Sequence, residues 1–299
     1  MPEPKLFGWR PNPRAVDSVL SQLRHPLMGP AASAIRGTGA GTTALLWKHV
    51  EELVGEFPVR TQAIGDCVSQ GAATVVDVVK AVEITDGDGD ETWRAETASE
   101  VIYGLSRVEV GRGELGQEDG SYGAWGAQAV KEYGTLVRER YGQHNLSRYS
   151  GELAREWGVD GLPGELEPTA REHLIREISL VTTYSDVRDA LANGYAVTIA
   201  SMQGFRHHRD EDGFLKPDGE WPHQMAVIGM DDEFKRPGVL VMNSWGTNWV
   251  TGPTRHNQPP GSFWVDAEVL EDRILSEEDS WAFGNYEGWP ARSLDLRII

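Results

Sequence analysis

The apolar residues change period along the chain, and that change most limits what it can fold into. From Cys67 to about Ile84, Ala72, Val75, Val76, Val79 and Val82 recur at the spacing of one helical face, and the run ends at the acidic stretch DGDGDE, residues 86–91. Two more helical patterns follow, ETASEVIYGLSRVEV and SYGAWGAQAVKEYG, the second closed by Gly134. After PTAREHLIREI the pattern becomes short β-rich runs separated by Gly, Pro and Asp: YAVTIASM, MAVIGM, VLVMNSW and SFWVDA. Helices first and strands later predict an α+β chain whose halves form separate lobes with a cleft between them.

The expected division is a Pro- and Gly-rich N-terminal arm with short helices (1–56), a helical lobe (57–165), a β-rich lobe (166–270) and a C-terminal tail packing on the domain (271–299). With 28 Lys+Arg against 46 Asp+Glu, the formal charge is −18, so the field repels nucleic acid and anionic lipid. A single cysteine excludes an intrachain disulfide and the paired cysteines of a zinc ribbon. No run approaches the ~18 apolar residues of a membrane span, and no apolar stretch follows the basic residues near the N-terminus. A cytoplasmic protein needing neither metal nor other cofactor is expected, with no nucleic-acid or membrane partner.

Two local motifs carry chemistry. His223 opens HQMAVIG and Asn243 opens NSWGTNW, 20 residues further on, across the turn-rich DDEFKRPG. Neighbouring antiparallel strands of that length place the two side chains at one end of a sheet, where an Asn can orient a His ring by bonding one nitrogen and leave the other to exchange a proton. Trp245 is placed to keep water from that bond. The only thiol, Cys67, sits at a predicted helix N-terminus, which favours thiolate over thiol.

The NSWG run, the His ahead of a strand and a Gln followed by Gly-x-Cys at a helix start resemble the papain-like cysteine peptidases over about residues 57–270. The resemblance implies a two-lobed fold, a helical lobe plus a β-barrel-like lobe with the cleft between them. It implies Cys67 as nucleophile, His223 as general acid/base, Asn243 as its orienter, Gln62 and the Cys67 N–H as oxyanion donors, and Trp245 as shield. It further implies a substrate-pairing loop at QEDGSY with Gly120 as its glycine, and an apolar pocket at Trp221 and Ile199. A thiolate–imidazolium pair ready at neutral pH and a peptide or protein substrate follow from the same likeness.

Four positions depart from the family pattern: Gln62 precedes Cys67 by five residues instead of six, Asp66 adjoins the thiol, Val68 replaces an aromatic residue, and Pro222 precedes His223. They keep two alternatives open. One is a catalytically silent scaffold with a structural or binding role in a virus particle, its partner a viral or host protein and its location the virion. The other is an amidase or transpeptidase. The lack of disulfides is similar to bacterial or bacteriophage-type members. For the arm, a structural role is expected, with a self-inhibitory strap across the cleft as the alternative. DGDGDE reads as an acidic turn in preference to a calcium loop, His207 and His208 as a solvated turn, and Trp264, Trp281 and Trp289 as packing residues.

Overall fold

Cys67 is the first residue of a 20-residue helix, Cys67–Asp86, that lies almost wholly inside the protein. Its composition explains the placement. Gly71 lies against the Gln224 side chain and the Met225 backbone, and Ala72, Ala73 and the valines at 75, 76, 78, 79 and 82 fill the core. Apolar residues on all sides suit a buried helix better than the one-sided stripe of a surface helix. The computed structural model describes residues 6–87, 92–285, 289–292 and 294, so most of DGDGDE lies outside the described residues.

On one side of this helix pack Ser99–Leu105, which runs on as a π-helical turn Ser106–Val110, and Gly123–Glu132, while Gly151–Asp160 packs on Ser99–Leu105. The last is started by Ser150, whose hydroxyl accepts from Leu153 N–H at 3.2 Å, a side-chain cap typical of serine. A second apolar cluster around Leu105, Leu136, Leu146 and Trp157 fills this lobe.

On the other side lies an antiparallel sheet. Its spatial order is Glu177–Leu180, Trp281–Gly284, Val197–Phe205, Pro217–Asp231, Gly238–Met242 and Ser262–Asp266. The four runs read as strands from sequence all lie in it. The tail contributes a strand of its own, and Trp264, Trp281 and Trp289 are buried. The N-terminal arm is woven into the same lobe: Thr43–Ala44 pairs with the long strand and Leu27 bridges to Leu180. Helix and sheet therefore form the expected α+β architecture. Among the described residues, no helix is long and apolar enough to cross a membrane.

Candidate active site

The long strand Pro217–Asp231 and its neighbour Gly238–Met242 pair Ala226 with Met242, which brings His223 beside Asn243 just past the shorter strand's end. His223 Nε2 lies 2.8 Å from Asn243 Oδ1. That same oxygen accepts from the Ser244 backbone N–H at 2.7 Å, which fixes the direction of the amide. An amide oxygen only accepts, so Nε2 carries the ring proton and Nδ1 is left as the basic nitrogen. Nδ1 is buried and has no hydrogen-bond partner among the described residues. Trp245 covers the ring, with centroids 4.7 Å apart.

Cys67 reaches this place from the opposite lobe. Gln224, next to His223, donates from its side chain to the Val68 carbonyl at 2.9 Å, and its backbone N–H interacts with the Cys67 sulfur. Gln62 is docked by Ser244, whose backbone carbonyl accepts from Gln62 N–H at 2.9 Å and whose hydroxyl donates to Oε1 at 2.6 Å. The shortened spacing from Gln62 to Cys67 thus still leaves the glutamine beside the Asn243 segment. Asp66 occupies the N-cap position without capping. Its Oδ2 instead accepts from Gln70 at 2.8 Å and from the Tyr149 hydroxyl at 3.0 Å.

Residues 6–10 of the arm run directly through this site. The backbone N–H groups of Gly8 and Trp9 interact with the Cys67 sulfur, and the Leu6 carbonyl accepts from Gln62 Nε2 at 3.2 Å. Phe7 meets His223 and Trp245 edge-on. Gly8 lies so close over Gly65 that a Cβ there would sit 1.8 Å from the Gly65 carbonyl oxygen. Trp9 is buried with Cys67, Val68, Ala200 and Met202. Ser121 donates to the Gly8 carbonyl at 2.8 Å and accepts from Arg10 N–H at 3.1 Å, and Trp9 N–H donates to the Pro222 carbonyl at 3.2 Å.

Burial under this strap sets the protonation of the pair. Desolvation pushes the Cys67 thiol up to about 12, against the pull of the Gln224, Gly8 and Trp9 N–H groups and with a further push from Asp66. Desolvation also drives His223 down to about 4, opposed by its bond to Asn243. Covered by the arm, the site holds a thiol and a neutral imidazole. Burial in the fold, to which the arm contributes, thus disfavours both charges of the expected thiolate–imidazolium pair.

Two expected positions fall elsewhere. Ile199 and Trp221 both belong to the main core. Trp221 packs among Trp245, Trp249 and Phe205. The side chains around Trp9 are those of Ala200 and Met202, on the opposite face of the strand that holds Ile199, since successive residues of a strand alternate faces. The QEDGSY loop does line the site. Gly120, at φ +116°, lies against Gly8, where a Cβ would approach its carbonyl oxygen to 2.7 Å, but the backbone pairing falls to Ser121. His207 meets Trp221 and Trp249 edge-on, and His208 bonds Thr251 at 3.0 Å.

Solved structures give the fold a name. The chain matches xylellain, a cysteine protease from Xylella fastidiosa, over 96% of its own length and 95% of that chain, with a TM-score of 0.56 and 16% identity. The fold is papain-like. ProCathepsin B S9 from Trypanosoma congolense matches over 94% of this chain and 87% of its own, with a TM-score of 0.57 and 12% identity. Digestive procathepsin L 3 of the Tenebrio molitor larval midgut matches over 90% and 79%, at 0.54 and 13%. No family model matches the sequence, and no curated protein matches it. In this papain-like frame, sequence alone had not singled out Trp9, Ser121 or Asp279, a buried carboxylate that bonds Trp9. The only sequence signal for the strap is the Gly8-Trp9 pair in a Pro-rich arm.

Proposed function

We propose that the chain is a cysteine peptidase held latent by its own N-terminal arm. The observation that carries this reading is the His223–Asn243 pair, with an unpartnered Nδ1, next to Gln224, whose backbone N–H interacts with Cys67 at a helix N-terminus. Once the strap lifts, water returns, the two shifts relax, and the helix terminus and imidazolium favour the thiolate. The sulfur attacks the peptide carbonyl to give a tetrahedral oxyanion. The Cys67 N–H and Gln62 Nε2 are its donors, and each such donor is worth about 3 kcal/mol of barrier. His223 protonates the leaving amine, and water drawn in by the same ring then hydrolyses the acyl-cysteine.

The course of the strap fits latency. A leaving amine must face His223, so the part of a substrate after the scissile bond lies on the Trp245 side and the acyl part on the Ser121 side. The arm has Phe7 on the Trp245 side and Arg10 on the Ser121 side, the reverse of a substrate's direction. Its Leu6 carbonyl takes a Gln62 hydrogen while presenting no bond in the orientation for cleavage.

Alkylation of the full chain by iodoacetamide at pH 6 tests this. The wild type should react slowly, Gly8→Ala at least about tenfold faster because its Cβ cannot pass Gly65, and Gly8→Ala/His223→Ala slowly again. Fast reaction that persists without His223 would remove the dyad. The silent-scaffold reading draws on the fully buried thiol, and it would be favoured if Gly8→Ala reacted no faster than wild type.

A further inference from the structure

The loop that pairs with the arm is held from behind by the helix Ser99–Leu105 and its π-helical continuation. Tyr103, Ser106 and Arg107 stand three and four residues apart there, so their side chains share a face. The Tyr103 hydroxyl accepts from the Gly120 N–H at 2.9 Å, and the Ser106 and Ser121 hydroxyls lie 3.1 Å apart. Arg107 is 2% exposed and donates from all three nitrogens to backbone carbonyls: Nε to Gly158 at 2.8 Å, Nη2 to Gly116 at 2.7 Å, and Nη1 to Gly120. Its acceptors are therefore uncharged, while the carboxylate of Asp119 in the same loop pairs with Arg155 at 2.9 Å. Burying a guanidinium on neutral acceptors costs free energy that an apolar residue would not. What arginine supplies in return is geometry, because its planar fork fixes the two ends of the segment 116–120 against the helix Gly151–Asp160 in one arrangement.

We propose that Arg107, backed by Tyr103, is a positioning residue for the Gly120–Ser121 edge, setting the backbone groups on which the arm now lies and on which a substrate's acyl part docks. The arm shows what that edge does. Trp9 bridges to Ser121 in parallel, the Ser121 N–H donates to the Gly8 carbonyl at 2.8 Å, and the Arg10 N–H donates to the Ser121 carbonyl at 3.1 Å. Both bonds need the donor and the acceptor of one residue to face the cleft together, and the Arg107 fork holds the carbonyl of the residue just before it. For the substrate, the inference rests on the peptidase reading, which puts the acyl part on the Ser121 side.

A double-mutant cycle on the full chain tests this, with iodoacetamide alkylation of Cys67 at pH 6 measured in wild type, Arg107→Lys, Gly8→Ala and the double variant. Lysine keeps the charge but lacks the fork. Arg107→Lys should speed alkylation of the wild type at least about tenfold, since the arm loses its pairing, and should change the Gly8→Ala rate by less than about twofold, since the arm is already displaced there. Equal acceleration in both backgrounds, which general loosening of the fold would give, overturns the proposal. So does a wild-type rate that stays within about twofold. If Arg107→Lys fails to fold by circular dichroism, Tyr103→Phe, which removes only the acceptor of the Gly120 N–H, goes through the same cycle and the same outcomes decide. With peptidyl coumarin amides that Gly8→Ala hydrolyses, adding Arg107→Lys should raise KM at least about fivefold and hold kcat within about twofold, because the edge is paired before chemistry begins. A fall in kcat at constant KM overturns the docking role. Absence of any turnover by Gly8→Ala counts against the peptidase reading alone, and the alkylation cycle then decides Arg107.

Discussion

At the scale of residues, Asp66 is the position where this site departs most from an ordinary activated thiol. It is buried directly before Cys67, bonded by Gln70 and Tyr149, and its charge pushes the thiol pKa up. Removing that charge favours the thiolate. Asp66→Asn in the Gly8→Ala background should therefore move the midpoint of the alkylation rate against pH downward, by about a unit or less, since the Asn oxygen still accepts from Tyr149. Stopped-flow alkylation between pH 5 and 9 checks it, and an upward move would mean that the carboxylate supports the thiolate through the network behind it. Asp66 was visible in the sequence as a neighbour of Cys67. The Gln70 and Tyr149 bonds that turn its side chain away from capping the helix were not, because Tyr149 comes from a helical-lobe segment 83 residues away.

At the scale of elements, the Cys67 helix is fixed to the segment ahead of it by a buried ion pair. Asp77 Oδ2 lies 2.5 Å from Arg60 Nη2, and Oδ1 accepts from the Thr97 N–H and hydroxyl at 2.8 and 2.7 Å. Arg60 in turn accepts the Gly246 N–H on its carbonyl at 3.0 Å, so one carboxylate ties the Gln62 segment, the middle of the helix and the NSWG turn together. Asp77→Ala leaves a buried guanidinium without its charge partner and should cost about 3–5 kcal/mol in urea unfolding. A cost under about 1 kcal/mol would mean that the segment relaxes to let Arg60 reach water. The helices and the His–Asn hairpin were legible from periodicity and turn residues. The helix Gly151–Asp160 was not singled out, and its Ser150 cap and Trp157 were its local signals.

At the scale of the whole molecule, stability should carry the mark of carboxyls buried beside the site. Desolvation raises Asp66 to about 7 when folded, against about 3.9 in the unfolded chain. A raised pKa means that the folded state binds the proton more tightly, so this contribution is fully present below about pH 4 and is lost as pH rises through about 7. Asp66→Asn does not ionise. Its stability relative to wild type should therefore rise between pH 4 and 7, read from urea midpoints at matched ionic strength, and a flat or falling difference would show that Asp66 ionises normally inside the fold.

What the sequence determined by itself was everything carried by short-range spacing: helices before strands, the lone cysteine at a helix start, and a His and Asn brought together across one hairpin. Those follow from residue periods of 3.6 and 2 and from turn chemistry, which act over a few residues. The tertiary structure alone decided that Leu6 to Arg10 lie in the site, that Ala200 and not Ile199 faces Trp9, that Ser121 pairs with the arm, and that Asp279 accepts from the Trp9 indole. Each of these joins segments that only packing brings together, and a strand face is reversed by a shift of one residue. The same packing removes water from Cys67 and His223, so their protonation in the closed state was set by the fold and not by the motif.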